Sequence, residues 1–423
     1  MAREMKNSGI EWIGCIPSDW NVVRIGTQYT ERKTKVSDRD YPPLSVTMKG
    51  ILPQLATAAK TDAHDDRKLV CKGDFAINSR SDRRGSCGIS PSDGSVSLIN
   101  TILCPRDEMN PRYYDWLFHS TMFSDEFYKW GHGIVDDLWT TNWQDMKRIF
   151  IPEPSLDEQE KIADFLDRTC SEIDAVIEKT KATIEEYKAL KQSVIANAVT
   201  KGLRNNRPTK SSGIEWVSEI VESWQISRIG LHYNIILGKM LCDKQLKEDY
   251  TLEEYLCAAN VHFDGVENTN LKKMWFSPLE KETYAVRVGD LVVVEGGAGA
   301  GGASIVTKLD TPTYIQNSVM IVRNKTSNDN RYLRYWIECL VKKGYIAVVC
   351  NKATIPHFTK DKLATMPLPV LPEEEQIEIA NYLDKKCDEI DALIAKKTAL
   401  LEEMENYKKS VIYEYVTGKK QVQ

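Results

Sequence analysis

The chain has 423 residues, of which 42% are hydrophobic and 28% charged, and a formal net charge of -5. That size and hydrophobic content exclude intrinsic disorder and allow two or three domains with cores of their own. The N-terminus carries no signal-peptide run and no stretch approaches the roughly 20 apolar residues that span a bilayer, so a cytoplasmic protein without membrane segments is expected.

The first marked motif is Ser8-Gly-Ile-Glu-Trp12, followed by Trp20 and Arg24-Ile-Gly26; all of it returns at Ser212 to Trp216, Trp224 and Arg228-Ile-Gly230, at a constant offset of 204. Such self-similarity signals a duplicated architecture. Beyond the first copy, Gly73-Asp74-Phe-Ala-Ile-Asn78 and Val96-Ser-Leu-Ile-Asn100 read as short strands around a polar loop, and Tyr113 to Phe127 as an aromatic helix-like stretch. The loop holds Arg80, Arg83 and Arg84, the densest basic cluster of the first insert. Arginine pairs bidentately with guanine or clamps phosphate, and a solvated turn is the alternative reading. Further on, His132 and then Thr141 and Asn142 are polar groups able to reach base edges, while the neighbouring Trp139 reads as core.

Residues 155–201 contain neither Gly nor Pro, and Ser155-Leu-Asp-Glu158 reads as a capping box that starts a long helix. Ile162, Leu166, Ile173, Ile177 and Ile184 recur at spacings that make a narrow apolar seam, which requires a second helix. At 1.5 Å per residue the helix would span about 65 Å.

The second half repeats the order. Gly289-Asp290-Leu-Val-Val-Val294 and Gln316-Asn-Ser-Val-Met-Ile-Val322 read as strands, and 295–302 as a Gly-rich loop that lacks the Lys-Ser/Thr of a phosphate-binding loop. Ser304, Asn317, Lys352, Thr354 and His357 occupy places comparable to the first set of polar candidates. A second run without Gly or Pro, 373–417, carries the seam Ile379, Leu383, Ile390, Ile394 and Leu401. Charge divides along the same lines: 155–201 and 372–420 together carry -7, whereas 20–150 and 224–366 together carry +4. The ten cysteines show no C-x-x-C and the six histidines no ligand spacing, so free thiols and no metal are expected. No methyltransferase motif and no cofactor motif is present, and the chain reads as non-enzymatic.

A second repeated block carries a resemblance. Glu158-Gln-Glu-Lys-Ile-Ala-Asp-Phe-Leu-Asp167 returns as Glu375-Gln-Ile-Glu-Ile-Ala-Asn-Tyr-Leu-Asp384, at an offset of 217. Together with the Gly-Ile-Glu-Trp opening, Pro-Leu-Ser-Val-Thr at 43–47 and the Gly-Asp strands, the chain resembles the specificity subunit of type I restriction-modification systems over essentially its whole length. The resemblance implies an α+β fold with two tandem target recognition domains, 1–150 and 204–366. It implies two long helices, 151–203 and 367–423, packed as an antiparallel coiled coil with pseudo-two-fold internal repeat. It also implies double-stranded DNA as ligand, DNA adenine methyltransferase subunits, two of them, as partners, and restriction/translocase subunits beyond those. A freestanding DNA-binding regulator is the alternative function. Matching frames around divergent inserts predict a bipartite, asymmetric target, because half-site spacing mirrors protein geometry.

Overall fold

The computed structural model describes residues 3–54, 64–133, 139–350 and 356–422. It divides into two compact units, one formed by Met1–Ala182 with Thr398–Gln423, the other by Thr183–Lys397.

In the first unit a four-stranded antiparallel sheet runs in the order Cys87–Ile89, Phe75–Asn78, Asn100–Pro105, Tyr29–Glu31. Successive side chains of a strand point to opposite faces. Phe75, Ile77 and Leu103 therefore enter one core with the helices Pro111–His119 and Thr121–Lys129, while Ala76 and Ile102 enter another with Leu44, Val70 and Val96. The aromatic stretch read as one helix is two, because Ser120 leaves the helical conformation and its hydroxyl caps the second at Phe123 N, 3.3 Å.

The second unit repeats this sheet strand for strand, as Ala303–Ile305, Leu291–Val294, Val319–Asn324, Tyr233–Leu237. Leu291, Val293, Met320 and Val322 face the helix side and Val292, Val294, Val319 and Ile321 the other. Each of these fully buried side chains contributes about 1.5–3 kcal/mol of apolar transfer energy. The accompanying three-stranded sheets are where the halves diverge: the one of the first unit is wholly antiparallel, whereas in the second Thr251–Leu256 pairs parallel with Thr313–Ile315.

The long helices are Leu156–Lys201 and Glu373–Val416, within a residue of expectation at either end. In the first unit Phe165 stacks on Tyr415 at 4.2 Å and Asp174 pairs with Lys408 at 2.6 Å, so numbering rises along one helix as it falls along the other. In the second unit Lys191 pairs with Asp391, and Ile195 and Val199 share a core with Leu383 and Ile379. The helices are thus paired antiparallel in both units, and the fold class expected from the sequence stands. Ile162, Leu166, Ile173, Ile177, Ile184, Ile379, Leu383 and Ile390 are buried; Ile394 and Leu401 are half-buried.

The expected capping box is only half formed. Ser155 Oγ accepts from Glu158 N at 3.4 Å, but the Glu158 carboxylate turns away and accepts from Trp20 Nε1 at 2.8 Å and from Arg3. Glu375 does the same with Trp224 Nε1 at 3.3 Å and Arg207. The rest of the repeated block has matching tasks. Gln159 Oε1 accepts from Asn110 N, and Gln376 Oε1 from Asp329 N, holding the residues that cap the helices Pro111–His119 and Asn330–Lys342. Asp167 accepts from Arg112 and Trp116, as Asp384 does from Arg331 and Tyr335. The Gly-Asp pairs close turns: Asp74 accepts from Cys71 N and Asp290 from Arg287 N, both at 2.8 Å, and each binds an arginine, Arg32 or Arg323. Ser8-Gly-Ile-Glu-Trp12 lies in the turn of its hairpin with Gly9 at φ 74°, whereas in the copy Gly213, φ 70°, sits at the register shift near the end of the strand Thr209–Ile214; both occupy the left-handed region that glycine enters without penalty.

Candidate nucleic-acid interface

In each unit the segment that follows the strand after the Gly-Asp turn is joined to the segment that precedes the long helix. In the first, Thr141 N donates to Ser79 O at 2.9 Å and Ser81 N to Trp139 O at 3.0 Å; in the second, Phe358 N donates to Glu295 O at 2.6 Å and Gly297 N to Pro356 O at 3.2 Å. The structure therefore brings together, within each unit, segments that lie about 60 residues apart in sequence.

Around the first junction, Arg80 and His132 both bridge to Thr140 through their backbones. The arginine cluster is not a free cationic patch. Arg80 pairs with Asp82 at 3.0 Å, Arg83 lies 3.7 Å from the same carboxylate, and Arg84 pairs with Asp125 at 3.0 Å while lying over the Tyr128 ring at 5.2 Å. Burial pushes the Tyr128 phenol above its ordinary range, so it stays a neutral donor, here to Asn78 O. All three arginines remain partly exposed, and a phosphate or guanine can compete for them against a solvent-screened carboxylate at small cost. His132 is 73% exposed with Asp145 3.4 Å from its Nε2. Thr141 is fully buried and donates its hydroxyl to Phe127 O at 2.9 Å, and Asn142 caps the short helix Trp143–Met146 by accepting from Gln144 N. These two hold the junction in place; the exposed groups beside it are the arginines and His132. A cavity of about 660 Å³ adjoins it, lined by His132, Asp145 and Arg148 with the Gly9 to Trp12 turn opposite.

Around the second junction, His357 is 62% exposed and lies 3.9 Å from Glu295, an acid beside an imidazole as at His132. Asn317 N donates to Lys239 O at 2.8 Å and its side chain meets Gln316. Ser304 is buried within the strand Ala303–Ile305, away from solvent. Lys352 and Thr354 lie outside the described residues. The structure adds Glu295 and Ser318 to this junction, through Glu295 N to Ser318 O at 2.8 Å. Sequence signalled neither, since an acid is not what a DNA contact suggests.

Among the described residues no three His, Cys, Asp or Glu side chains gather into a metal-binding group, and no helix is long and apolar enough to cross a membrane. A family model, the type I restriction modification DNA specificity domain, matches residues 234–403. The chain is 23% identical over 425 residues to the type I restriction enzyme MjaVIII specificity subunit of Methanocaldococcus jannaschii, an alignment covering 96% of this chain and 93% of that one. A chain from a structure concerned with complex assembly and conformational transition of the type I R-M system superposes with a TM-score of 0.73 at 15% identity, covering 95% of this chain and 98% of the other. The HsdS subunit from Thermoanaerobacter tengcongensis superposes with a TM-score of 0.52 at 17% identity, covering 96% and 98%. At those identities the superpositions establish a shared fold.

Proposed function

The chain belongs to the specificity subunits of type I restriction-modification systems, and from that membership we propose that it reads a bipartite, asymmetric site on double-stranded DNA. It directs adenine methylation by partner methyltransferase subunits, two per chain, and ATP-dependent cleavage by a further restriction and translocation subunit. Catalysis belongs to the partners. The reading domains fall within 1–150 and 204–366, and 151–203 and 367–423 are the helical spacers.

One observation carries the reading: an identical sheet and an identical junction are surrounded by unlike side chains. The first junction presents Arg80, Arg83, Arg84 and His132; the second presents a Gly-rich loop, Asn317 and His357. Conserved framing with divergent edges suits two readers of different half-sites, because base identity is read by side-chain donors and acceptors. Matching exposed apolar residues on the two helices, Val176 with Leu393 and Leu190 with Tyr407, suit docking of one kind of partner on each.

Methylome sequencing of cells with the intact gene and with a deletion tests this. The deletion should erase methylation at one motif made of two unlike parts separated by unread bases. A continuous or palindromic motif would contradict the two-reader proposal, and failure of the chain to co-purify with a methyltransferase subunit would favour a freestanding regulator.

A further inference from the structure

The second junction carries an acid, Glu295, where a DNA-reading surface would ordinarily carry a cation. Glu295 directly follows Leu291–Val294, a strand with a neighbour on either side in its sheet. Its backbone is tied twice: Glu295 N donates to Ser318 O at 2.8 Å, and Glu295 O accepts from Phe358 N at 2.6 Å. Ser318 is held in turn, its hydroxyl accepting from Ala258 N at 2.9 Å and donating to Gln316 Oε1. The acid therefore stands on a fixed mount.

Its side chain is only 19% exposed, yet among the described residues no donor engages it. The nearest partner is Nδ1 of His357 at 3.9 Å, beyond hydrogen-bond length, on an imidazole that is itself largely exposed. Asp74, Asp290, Glu158 and Glu375 are no more exposed, and each of them binds an arginine. Withdrawing an ionised carboxylate from water without a donor costs free energy, so Glu295 is a group that still lacks its partner. The two residues after it, Gly296 and Gly297, have no side chains to shield it from an incoming ligand. In the first unit the place whose carbonyl makes the same junction bond belongs to Ser79, buried and hydrogen-bonded to Thr101. An acid at this place is a property of the second unit alone.

We propose that Glu295 reads a cytosine in the half-site of the second unit, accepting a hydrogen bond from its N4 amino group in the major groove. This rests on the DNA-reading function proposed above. An ionised carboxylate only accepts, and the bases differ in what they offer it. Guanine shows the acceptors N7 and O6, thymine an acceptor and a methyl group, and adenine a donor with the acceptor N7 beside it; cytosine alone shows a donor with no acceptor on the same base. Against any other base the carboxylate meets lone pairs or gives up its water unrewarded, while phosphates on both sides repel it. It therefore discriminates chiefly by excluding wrong bases. The fixed mount is what enforces this, because a carboxylate on a mobile segment would turn out to water.

The test uses the full chain with its co-purifying methyltransferase subunit and the motif mapped by methylome sequencing. The half that belongs to the second unit is the one that exchange of 20–150 leaves unchanged. At each C·G pair of that half, cytosine is replaced in the duplex by a 2-pyrimidinone nucleoside, which lacks the 4-amino group, and in separate duplexes by each other base with its complement. At one pair the analogue should weaken binding of the native complex about tenfold, as a mismatched pair does. The same substitution should cost Glu295→Ala nothing at that pair, while the two proteins respond alike elsewhere. Glu295→Gln should move the preference there from C·G to A·T, because an amide pairs with adenine N6 and N7. His357→Ala should leave it at C·G. A half-site without a C·G pair, or a native complex indifferent to the analogue at every such pair, would overturn the cytosine contact and leave DNA reading intact. A Glu295→Ala complex that keeps the full penalty would do the same. Loss of the preference in His357→Ala would also overturn it, since Glu295 would then act only as a support for the imidazole. If the native complex shows no preference for the mapped site, DNA reading itself fails.

Discussion

The indole N–H of Trp20 donates to the Glu158 carboxylate at 2.8 Å, joining residues 138 positions apart. Arg3 lies over the same indole at 5.5 Å and bonds the same carboxylate, and Arg207, Trp224 and Glu375 repeat the arrangement. Each copy clamps the hairpin at the head of its half to the start of its long helix. Glu158→Ala should therefore lower stability by about 1–3 kcal/mol, leaving a buried indole donor without its acceptor. Asp19→Ala, which removes the other partner of Arg3 at a site 69% exposed, should cost under about 1 kcal/mol. Urea unfolding followed by tryptophan fluorescence separates the two, and equal losses would refute the clamp.

Specificity should travel with the inserts. Replacing 20–150 with the corresponding insert of a relative should change one half of the methylated motif and leave the other half and the gap alone. An insertion between Arg204 and Asn205, both exposed just after the first long helix, should lengthen the gap by about one base pair, 3.4 Å of duplex, without changing the bases read. Motif mapping reads both. An altered second half-site after the insert exchange would mean that the halves do not read independently.

The acidic start of the second long helix divides into an engaged and an exposed part. Glu375 is committed to Arg207 and Trp224, whereas Glu373 and Glu374 are exposed. Glu373→Lys with Glu374→Lys should weaken assembly with a methyltransferase subunit severalfold at low salt and hardly at all at high salt, as expected for screened surface charge. Unchanged assembly in a pull-down at low salt would remove this surface from the interface.

Cys170 and Cys387 occupy matching positions on the long helices, and burial pushes both thiols up to about 11. At pH 8 about one such thiol in a thousand is ionised, so iodoacetamide should label the exposed Cys15 and spare these two. The sign for stability follows. A folded pKa above the ordinary 9.0 favours the neutral thiol, a contribution fully present below pH 9 and lost as pH rises towards 11. The urea midpoint should fall over that window, and Cys170→Ala should flatten the fall. Rapid labelling of Cys170 in the native protein would contradict the burial.

The long helices were legible because a run without Gly or Pro at 3-4 apolar spacing admits few other structures. The repeated Glu-Gln and Leu-Asp pairs announced a family, but their chemistry was hidden, since Glu158 bonds Trp20 and Asp167 bonds Arg112, partners that only the fold brings near. The arginine loop misled in part. Asp82 stands inside it and Asp125 folds against it, so a cluster that looks cationic in sequence is nearly balanced in space. Thr141 drew notice for its hydroxyl, which the fold spends on Phe127 O.

Tyr113 donates its buried hydroxyl to Val416 O, and the core around it includes Val411, Ile412 and Val416. The second unit, by contrast, is one unbroken stretch, Thr183–Lys397. During synthesis the two halves therefore mature in reverse order. The ribosome delivers everything the second unit requires before it has made the final turns that close the first. The N-terminal half, though translated earliest, keeps an open hydrophobic seam until 398–423 have been made, and is the half exposed to misassembly over that interval.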